Sequence, residues 1–250
     1  MDDLALLRYS RHVLLNELGV DAQERFSRAH AVIIGAGGLG APAAQFLVGA
    51  GIGTVTLCDP DTVDLTNLQR QILYATADVG RPKVEAARDR LHAINPDVVL
   101  RLVEERVDAD RLDALAQDAT VFLDCSDNFA TRHAVNRAAV AAAVPLVSGA
   151  AVRFDGQVAV FDVRDPASPC YHCLFGEGDE LEETRCATMG VFAPLVGIIG
   201  AMQAAEALKV IASVGETLAG RLLLLDALHM QWREVRIPRD PQCPVCSGLR

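Results

Sequence analysis

A glycine-rich turn between two apolar segments is the first feature of the sequence that could do chemistry. Gly35-Ala36-Gly37-Gly38-Leu39-Gly40 follows the apolar residues 31–34 and precedes a helical stretch. Because glycine has no side chain, its backbone can approach a phosphate, and a helix N-terminus offers unpaired N–H groups to an anion. Asp59 ends the next apolar segment, about 20 residues after the last glycine, where this motif places an acid on ribose hydroxyls. The pattern predicts nucleotide binding; the alternative is a tight strand-to-helix turn in which Asp59 only caps a loop.

Four cysteines form the second chemical feature. They fall into two Cys-x-x-Cys pairs, Cys170 with Cys173 and Cys243 with Cys246. Two such knuckles complete a tetrahedral zinc site that leaves no coordination position open, so the predicted zinc is structural. The odd total of 7 cysteines and the absence of a signal-like N-terminus favour metal over disulfides. His172 and His229 could compete as ligands, and four unrelated cysteines are the alternative.

Two cations follow the nucleotide-binding stretch. Arg70 lies in an otherwise uncharged turn, and Lys83 lies in the first turn of a predicted helix, where its charge opposes the helix dipole. A locally disfavoured placement is typical of functional sites. Together with Asn67 and Gln71, the two cations indicate a clamp for a triphosphate, which favours ATP over a dinucleotide. The alternative is surface charge, with Lys83 paired to Glu85.

Asp127 and Asn128 follow the fourth predicted strand. Ligands of open α/β sheets bind outside the carboxyl ends of the strands, and a carboxylate there can hold Mg²⁺. The sequence leaves equally open that Asp127 or Asn128 only caps the next helix.

Cys186 lies beside Arg185, a position that can lower the pKa of a thiol and make it nucleophilic. The residues alone favour the alternative, a small side chain packing against the following helix. Cys58 and Cys125 are predicted to be buried and inert.

The elements that must position these residues alternate as strand and helix through the first 150 residues. Strands are predicted at 31–34, 54–58, 97–103, 120–124 and 145–148, and helices at 41–51, 81–94, 110–117 and 129–143. This pattern predicts an α/β, Rossmann-like, doubly wound and mainly parallel sheet. An Asp155-Gly156 turn leading into a strand at 157–163, and strands at 221–226 and 231–237, predict an antiparallel extension.

Composition restricts the class of protein. The chain has 250 residues, 51% of them apolar, which predicts one domain with a large core. Its net charge of −10 predicts that it binds neither nucleic acid nor an anionic membrane. The acidic N-terminus lacks a signal peptide, which predicts a cytoplasmic protein. Residues 186–205 are uncharged and long enough to span a bilayer, but their glycines, Pro194 and Gln203 favour a buried core helix.

Taken in order, the motifs resemble the MoeB/ThiF (HesA) adenylyltransferases, bacterial relatives of ubiquitin-activating enzymes, and most of all their molybdopterin-synthase branch. The resemblance covers nearly the whole chain, including both cysteine pairs. Its remaining motifs are Arg8-Tyr9-Ser10-Arg11-His12, the glycine turn, Asp59-Pro60-Asp61-Thr62-Val63, Asn67-Leu68-Gln69-Arg70-Gln71, Gly80-Arg81-Pro82-Lys83, Asp124-Cys125-Ser126-Asp127-Asn128, Pro145-Leu146-Val147-Ser148-Gly149-Ala150 and Ala193-Pro194-Leu195-Val196-Gly197.

The resemblance implies an enzyme that uses ATP and Mg²⁺ to adenylate the C-terminal glycine of a ubiquitin-fold sulfur-carrier protein. That carrier, MoaD-like or ThiS-like, ends in Gly-Gly. Adenylation releases pyrophosphate and activates the carrier for sulfur transfer in molybdenum cofactor or thiamine biosynthesis. By the same likeness Asp127 serves Mg²⁺, Asp59 binds ribose, Arg11 reaches the other active site of a homodimer, and Cys186 matches a cysteine that joins the carrier in the thiamine branch. The implied nucleotide contacts are Gly38, Asp59, Thr66, Asn67, Leu68, Gln69, Arg70, Lys83, Asp127 and Asn128.

The resemblance also implies a single domain over residues 1–250. Residues 1–28 form a helical N-terminal arm, 29–150 the nucleotide-binding half, and 151–250 a carrier-binding half with the zinc knuckles and a loop at 176–189. A separate sulfur donor is expected, because no thioester-bearing or rhodanese domain is evident in the sequence. The rival functions are an NAD-dependent oxidoreductase and a non-catalytic, zinc-stapled nucleotide-binding scaffold.

Overall fold

A single mixed sheet runs through the protein. The computed structural model describes residues 1–176 and 189–248. The strands of these residues are β1 (His30–Ile34), β2 (Thr54–Cys58), β3 (Val99–Val103), β4 (Val121–Asp124), β5 (Leu146–Val152), β6 (Asp155–Phe161), β7 (Arg221–Asp226) and β8 (Gln231–Arg236). Their order across the sheet is β3-β2-β1-β4-β5-β6-β7-β8. Neighbours from β3 to β5 pair in parallel and those from β5 to β8 pair antiparallel, as predicted.

Helices cover both faces of the sheet. They are α1 (Asp3–Arg8), α2 (Ser10–Val13), α3 (Gly19–Arg28), α4 (Gly40–Gly49), α5 (Lys83–Ile94), α6 (Ala109–Ala116), α7 (Phe129–Ala141), α8 (Tyr171–Leu174) and α9 (Ala193–Ala212). One face packs an apolar cluster that includes Phe26, Leu47 and Ile199. The other face packs a cluster that includes Leu112 and Val135. The predicted doubly wound α/β class is confirmed.

Strand β1 explains why the site lies where it does. All of its residues are buried, as expected for a central parallel strand covered on both faces. It pairs with β2 on one side and with β4 on the other, so the chain leaves β1 in one direction and later returns to the opposite side. Such a switch in strand order opens a crevice at the carboxyl ends of the two central strands.

Helix α9 forms the central support of the antiparallel half. It contacts α4, β5 and β6, and its inner residues Leu195, Ile199 and Gln203 are buried. By length and composition it could cross a membrane, yet 61% of its most apolar window lies inside the protein, as in the core helix of a soluble protein. The predicted core helix is therefore confirmed from residue 193 onward; residues 186–188 lie outside the described residues.

The predicted Asp155-Gly156 turn is wrong. Asp155 pairs with Val152, so Arg153 and Phe154 form the loop between β5 and β6, and Arg153 takes the positive φ of 53°. Gly156 is needed for packing rather than for turning, because a Cβ there would lie 2.8 Å from side-chain carbons of Leu195 and Ile199 on α9.

The predicted helical arm consists of three helices, α1 to α3. Its break precedes Gly19, which takes a φ of 61° at the start of α3. The Tyr9 side chain packs against Gly51, where an added Cβ would lie 2.4 Å from the ring. The Asn95 side chain donates a hydrogen bond of 2.8 Å to the Tyr9 hydroxyl. The arm is thus fixed to the βαβ unit that carries the glycine turn.

Candidate nucleotide-binding site and metal centre

The glycine turn is shaped by close backbone contacts. The Gly35 N–H donates to the Cys58 carbonyl at 2.8 Å, and Gly35 takes a φ of 96°. A Cβ on Gly35 would lie 2.7 Å from the Cys125 carbonyl oxygen, so the turn runs directly against the end of β4. A Cβ on Gly40 would lie 1.8 Å from the Gly35 carbonyl oxygen, which allows no side chain there.

Backbone donors at this turn remain available. Within residues 1–176 and 189–248, no group accepts a hydrogen bond from the N–H of Gly37 or Gly38. These groups precede the first turn of α4, where the helix dipole favours an anion. The turn therefore has the donors and the field that a phosphate requires.

Substitution of Gly40 by alanine should unfold this turn, whereas Gly37→Ala should not. The clash of a Gly40 Cβ with backbone is expected to cost about 3 kcal/mol or more, which lowers Tm by about 6–12 °C in a chain of this size. The nearest atom to a Gly37 Cβ is the Gln71 Nε2 at 3.5 Å, so that variant should keep its stability within about 1 kcal/mol. Thermal unfolding of the two variants checks the contrast, and equal Tm values would contradict the tight turn.

Asp59 holds the turn to the end of β2. Its Oδ2 accepts the Ala36 N–H at 2.7 Å, and its Oδ1 accepts the Asp61 N–H at 2.9 Å. The side chain is buried. Each carboxylate oxygen has a second acceptor site, so the loop-capping role and a ribose contact are compatible. The capping interpretation is confirmed, and ribose binding stays a prediction.

Lys83 is buried beside these two acids. Its Nζ lies 2.8 Å from Asp61 Oδ2 and 3.5 Å from Asp59 Oδ1, so its partners are these acids rather than Glu85. A buried ammonium ion requires such partners, because desolvation without them is costly. The lysine is thus held at the crevice beside the glycine turn.

The segment after β2 brings Arg70 to the same region. Arg70 Nη2 donates to Asn67 Oδ1 at 3.1 Å, and Nη1 donates to the Thr66 carbonyl at 3.3 Å. Gln71 is buried against Gly37, and its Oε1 has no hydrogen-bond partner among the described residues. Leu68 packs against the apolar core. Gln69 is exposed.

The two polar residues that follow β4, Asp127 and Asn128, have different roles in the structure. Asn128 Oδ1 accepts the Thr131 N–H at 2.9 Å and caps α7. Asp127 is exposed, with its Oδ1 3.5 Å from Asn128 Nδ2. The capping alternative therefore applies to Asn128, and Asp127 is left as an available carboxylate.

Two predicted residues are not joined to this site. Arg11 is exposed on α2, and the contacts of the described residues do not connect it to the crevice. Cys186 lies outside the described residues. Burial raises the pKa of Cys58 to about 12 and also raises that of Cys125, so both thiols stay protonated, as predicted.

The four predicted zinc ligands converge. All four sulfur atoms lie within 4.8 Å of one another. The Cys170–Cys173, Cys170–Cys243 and Cys173–Cys246 sulfur distances are 3.9, 3.7 and 3.6 Å. A tetrahedral ion about 2.3 Å from each sulfur needs sulfurs about 3.8 Å apart. The donor set therefore fits zinc and has no room for an open position.

Neighbouring residues fix this cluster in place. Asn136 of α7 accepts the Tyr171 N–H at 2.9 Å and donates to the Cys170 sulfur at 3.7 Å. Arg239 donates to the Cys246 carbonyl at 2.6 Å. His229 pairs with Asp226 at 2.8 Å instead of joining the cluster, and the His172 ring packs against another histidine. The two histidines are not among the ligands that the structure brings together.

Sequence reasoning missed several supporting residues. Tyr74 donates its hydroxyl to the Ala36 carbonyl at 2.7 Å, and burial raises its pKa. Asp61 holds Lys83, and Asn136 holds a cysteine knuckle. The only available signal was the spacing of Asp59 and Asp61 after a strand. Tyr74 and Asn136 carry no local pattern, because their roles depend on distant segments.

A glycine turn at a strand-order switch, bound by an acid and flanked by a buried lysine, defines a nucleotide-binding α/β protein. The four converging cysteines add a donor set that is compatible with zinc. The ThiF family profile matches residues 9–245, and the chain belongs to the ThiF family.

The chain is similar to several named proteins of that family. It is 45% identical over 250 residues to the molybdopterin-synthase adenylyltransferase of Escherichia coli (strain K12), covering 99% of this chain and 98% of that protein. It is 44% identical over 249 residues to the sulfur carrier protein ThiS adenylyltransferase of the same strain, again covering 99% and 98%. Among solved structures, E. coli MccB with ATP gives a TM-score of 0.84 at 26% identity, covering 96% of this chain and 73% of that one.

Proposed function

We propose that this chain is an adenylyltransferase that uses ATP to activate the C-terminal glycine carboxylate of a small ubiquitin-fold sulfur-carrier protein. The observation that carries the proposal is the pair of N–H groups of Gly37 and Gly38, which donate to no described residue. They lie at the turn that Asp59 joins to Lys83, in a chain similar over its whole length to two such adenylyltransferases. A solved relative of the same fold is described with ATP, which supports this nucleotide over NAD.

The reaction needs no general base. The carrier's terminal carboxylate is already ionised at pH 7, so it attacks the α-phosphorus directly. A carboxylate oxygen–phosphorus bond forms, the bond from the α-phosphorus to the bridging oxygen breaks, and pyrophosphate leaves with the electron pair. Negative charge is then redistributed over phosphoryl oxygens. The glycine-turn N–H groups, Lys83 and Arg70 stabilise that charge.

Asp127 is the proposed protein ligand for Mg²⁺. It is an exposed carboxylate at the carboxyl end of β4, next to the glycine turn. Mg²⁺ takes one or two carboxylates together with substrate phosphates, so this donor set fits the ion. When bound, Mg²⁺ would neutralise phosphate charge.

The partners and the division of labour are proposals of the same kind. Residues 29–150 bind the nucleotide, residues 151–250 bind the carrier, and the arm 1–28 brings Arg11 to the second site of a homodimer. Sulfur arrives from a separate donor, and Cys186 either joins the carrier or is dispensable. The protein acts in the cytoplasm, in molybdenum cofactor or thiamine biosynthesis.

Pyrophosphate exchange tests the proposed function. Labelled pyrophosphate should enter ATP only when a Gly-Gly-ended carrier is added. A carrier lacking its last glycine is the matched control and should give no exchange. Parallel assays with MoaD-like and ThiS-like carriers assign the pathway. If neither carrier supports exchange or forms an acyl-AMP, while the protein binds NAD, the proposal is wrong and the oxidoreductase alternative stands.

A further inference from the structure

A buried polar network lies directly beneath Asp127. Asp124, Ser126, Arg132 and Ser148 are 0%, 8%, 6% and 4% exposed. They belong to β4, the loop after it, the first turn of α7, and β5. The network therefore joins two strands, a helix and the loop that carries the candidate magnesium ligand.

Arg132 is the centre of that network. Its Nη1 donates to Asp124 Oδ2 at 3.2 Å and to Ser148 Oγ at 3.3 Å. Its Nη2 donates at 2.5 Å to the Ser126 carbonyl, which belongs to the peptide unit that leads into Asp127. One rigid guanidinium thus links the end of a strand to the backbone of the loop.

Asp124 holds the same loop from the other side. Its Oδ1 accepts the Ser126 N–H at 3.1 Å and the Ser126 hydroxyl at 2.6 Å. Asn128 is fixed as the cap of α7. Asp127 is therefore an exposed residue between two anchored neighbours, Ser126 and Asn128, which set its backbone position.

We propose that Arg132 is a positioning residue that holds the loop 125–127 so that the Asp127 carboxylate meets the metal of bound Mg·ATP. This inference rests on the proposed function. A purely structural ion pair would stabilise the fold without affecting the metal. Groups that orient a metal ligand instead change metal affinity, by about 10–100-fold when they are removed.

Arg132→Lys is the informative variant, and Ser148→Ala is its matched control. Lysine keeps a charge opposite Asp124, but an ammonium cannot reproduce the planar fork that reaches Asp124 and the Ser126 carbonyl together. Ser148→Ala removes an equally buried partner of the network and leaves both of these contacts in place.

The measurement is the Kd of ATP by calorimetry, without carrier, in EDTA and in saturating Mg²⁺. The Kd in EDTA divided by the Kd in saturating Mg²⁺ reports the coupling between metal and nucleotide. Arg132→Lys should lower this ratio about tenfold and leave the Kd in EDTA unchanged, while Ser148→Ala should change neither. Asp127→Asn should lower the ratio equally, and the Arg132→Lys/Asp127→Asn double variant should lower it no further, because both act through one ligand.

A wild-type ratio in Arg132→Lys, or additive losses in the double variant, would overturn the inference. If Arg132→Lys does not fold, Asp124→Asn combined with Arg132→Gln removes both charges, so that neither charge is left buried without a partner. This double variant should show the same fall of about tenfold in the ratio of Kd values. If neither of these variants folds, the network is required for folding, and the inference is also overturned. Wild-type pyrophosphate exchange separates the two proposals: its absence contradicts the function, whereas its presence with unshifted variants contradicts only the role of Arg132.

Discussion

Arg70→Ala is expected to lower carrier-dependent pyrophosphate exchange by about 10²–10³-fold, the usual effect of removing one donor that stabilises transition-state charge. The fold should be retained, because among residues 1–176 and 189–248 the Arg70 guanidinium donates only to the Thr66 carbonyl and the Asn67 side chain, within its own turn. Its free energy of unfolding should change by about 0.5 kcal/mol or less. Exchange kinetics and denaturant unfolding measure the two effects separately.

Arg88→Ala is the matched control for that result. Arg88 is a half-exposed arginine of α5 whose ion pair is with its neighbour Asp89, at 3.2 Å. Its loss removes the same charge from the chain without touching the crevice, so exchange should remain within about twofold of wild type. Equal activity of the two variants would mean that Arg70 contributes only to net charge, and the proposed phosphate clamp would be wrong.

Loss of the metal is expected to destabilise the whole protein. We expect about one zinc per chain, and Cys243→Ser should lose it, because a hydroxyl replaces one of four converging thiolates. Zinc at about a thousandfold its Kd contributes about 4 kcal/mol, which corresponds to a fall in Tm of about 8–16 °C. Elemental analysis and thermal unfolding, with and without a chelator, test this expectation.

Cys58→Ala distinguishes metal loss from the loss of any buried thiol. Cys58 is buried like Cys243, but it lies on β2 and is not part of the cluster. This variant should keep its zinc and should still lose stability when the chelator is added. A wild-type protein that contains no metal, and whose Tm is the same with and without the chelator, would contradict the zinc site.

The parts of the site that the sequence predicts are those encoded by local spacing. The glycine turn, the acid after β2 and the two cysteine knuckles each occupy a few consecutive positions, so their geometry follows from short-range rules. Asp155-Gly156 shows the limit of such rules. The pair has the composition of a turn, yet Gly156 lies inside β6, paired with Ala151. Position 156 requires glycine because α9 leaves no space for a side chain.

Partnerships between distant segments could not be predicted. Lys83 was expected either to bind phosphate or to pair with Glu85. In the structure it is buried beside Asp61, which is its ion-pair partner. Arg132 belongs to no local sequence pattern, and only the packing of β4, β5 and α7 reveals the carbonyl and carboxylate that it joins. The even choice between cap and metal ligand at Asp127 and Asn128 was resolved for Asn128 alone, because only hydrogen-bond geometry identifies a cap.

The separation of the two cysteine knuckles along the chain has a consequence for biosynthesis. Cys173 and Cys246 are 73 positions apart, which corresponds to about 4–15 s of translation at about 5–20 residues per second. Throughout that interval the nascent chain carries a half-site of two thiols, while α9, β7 and β8 are still being synthesised. Because Cys243 and Cys246 follow β8 in the sequence, the set of four thiols is completed only after every strand of the sheet has been synthesised.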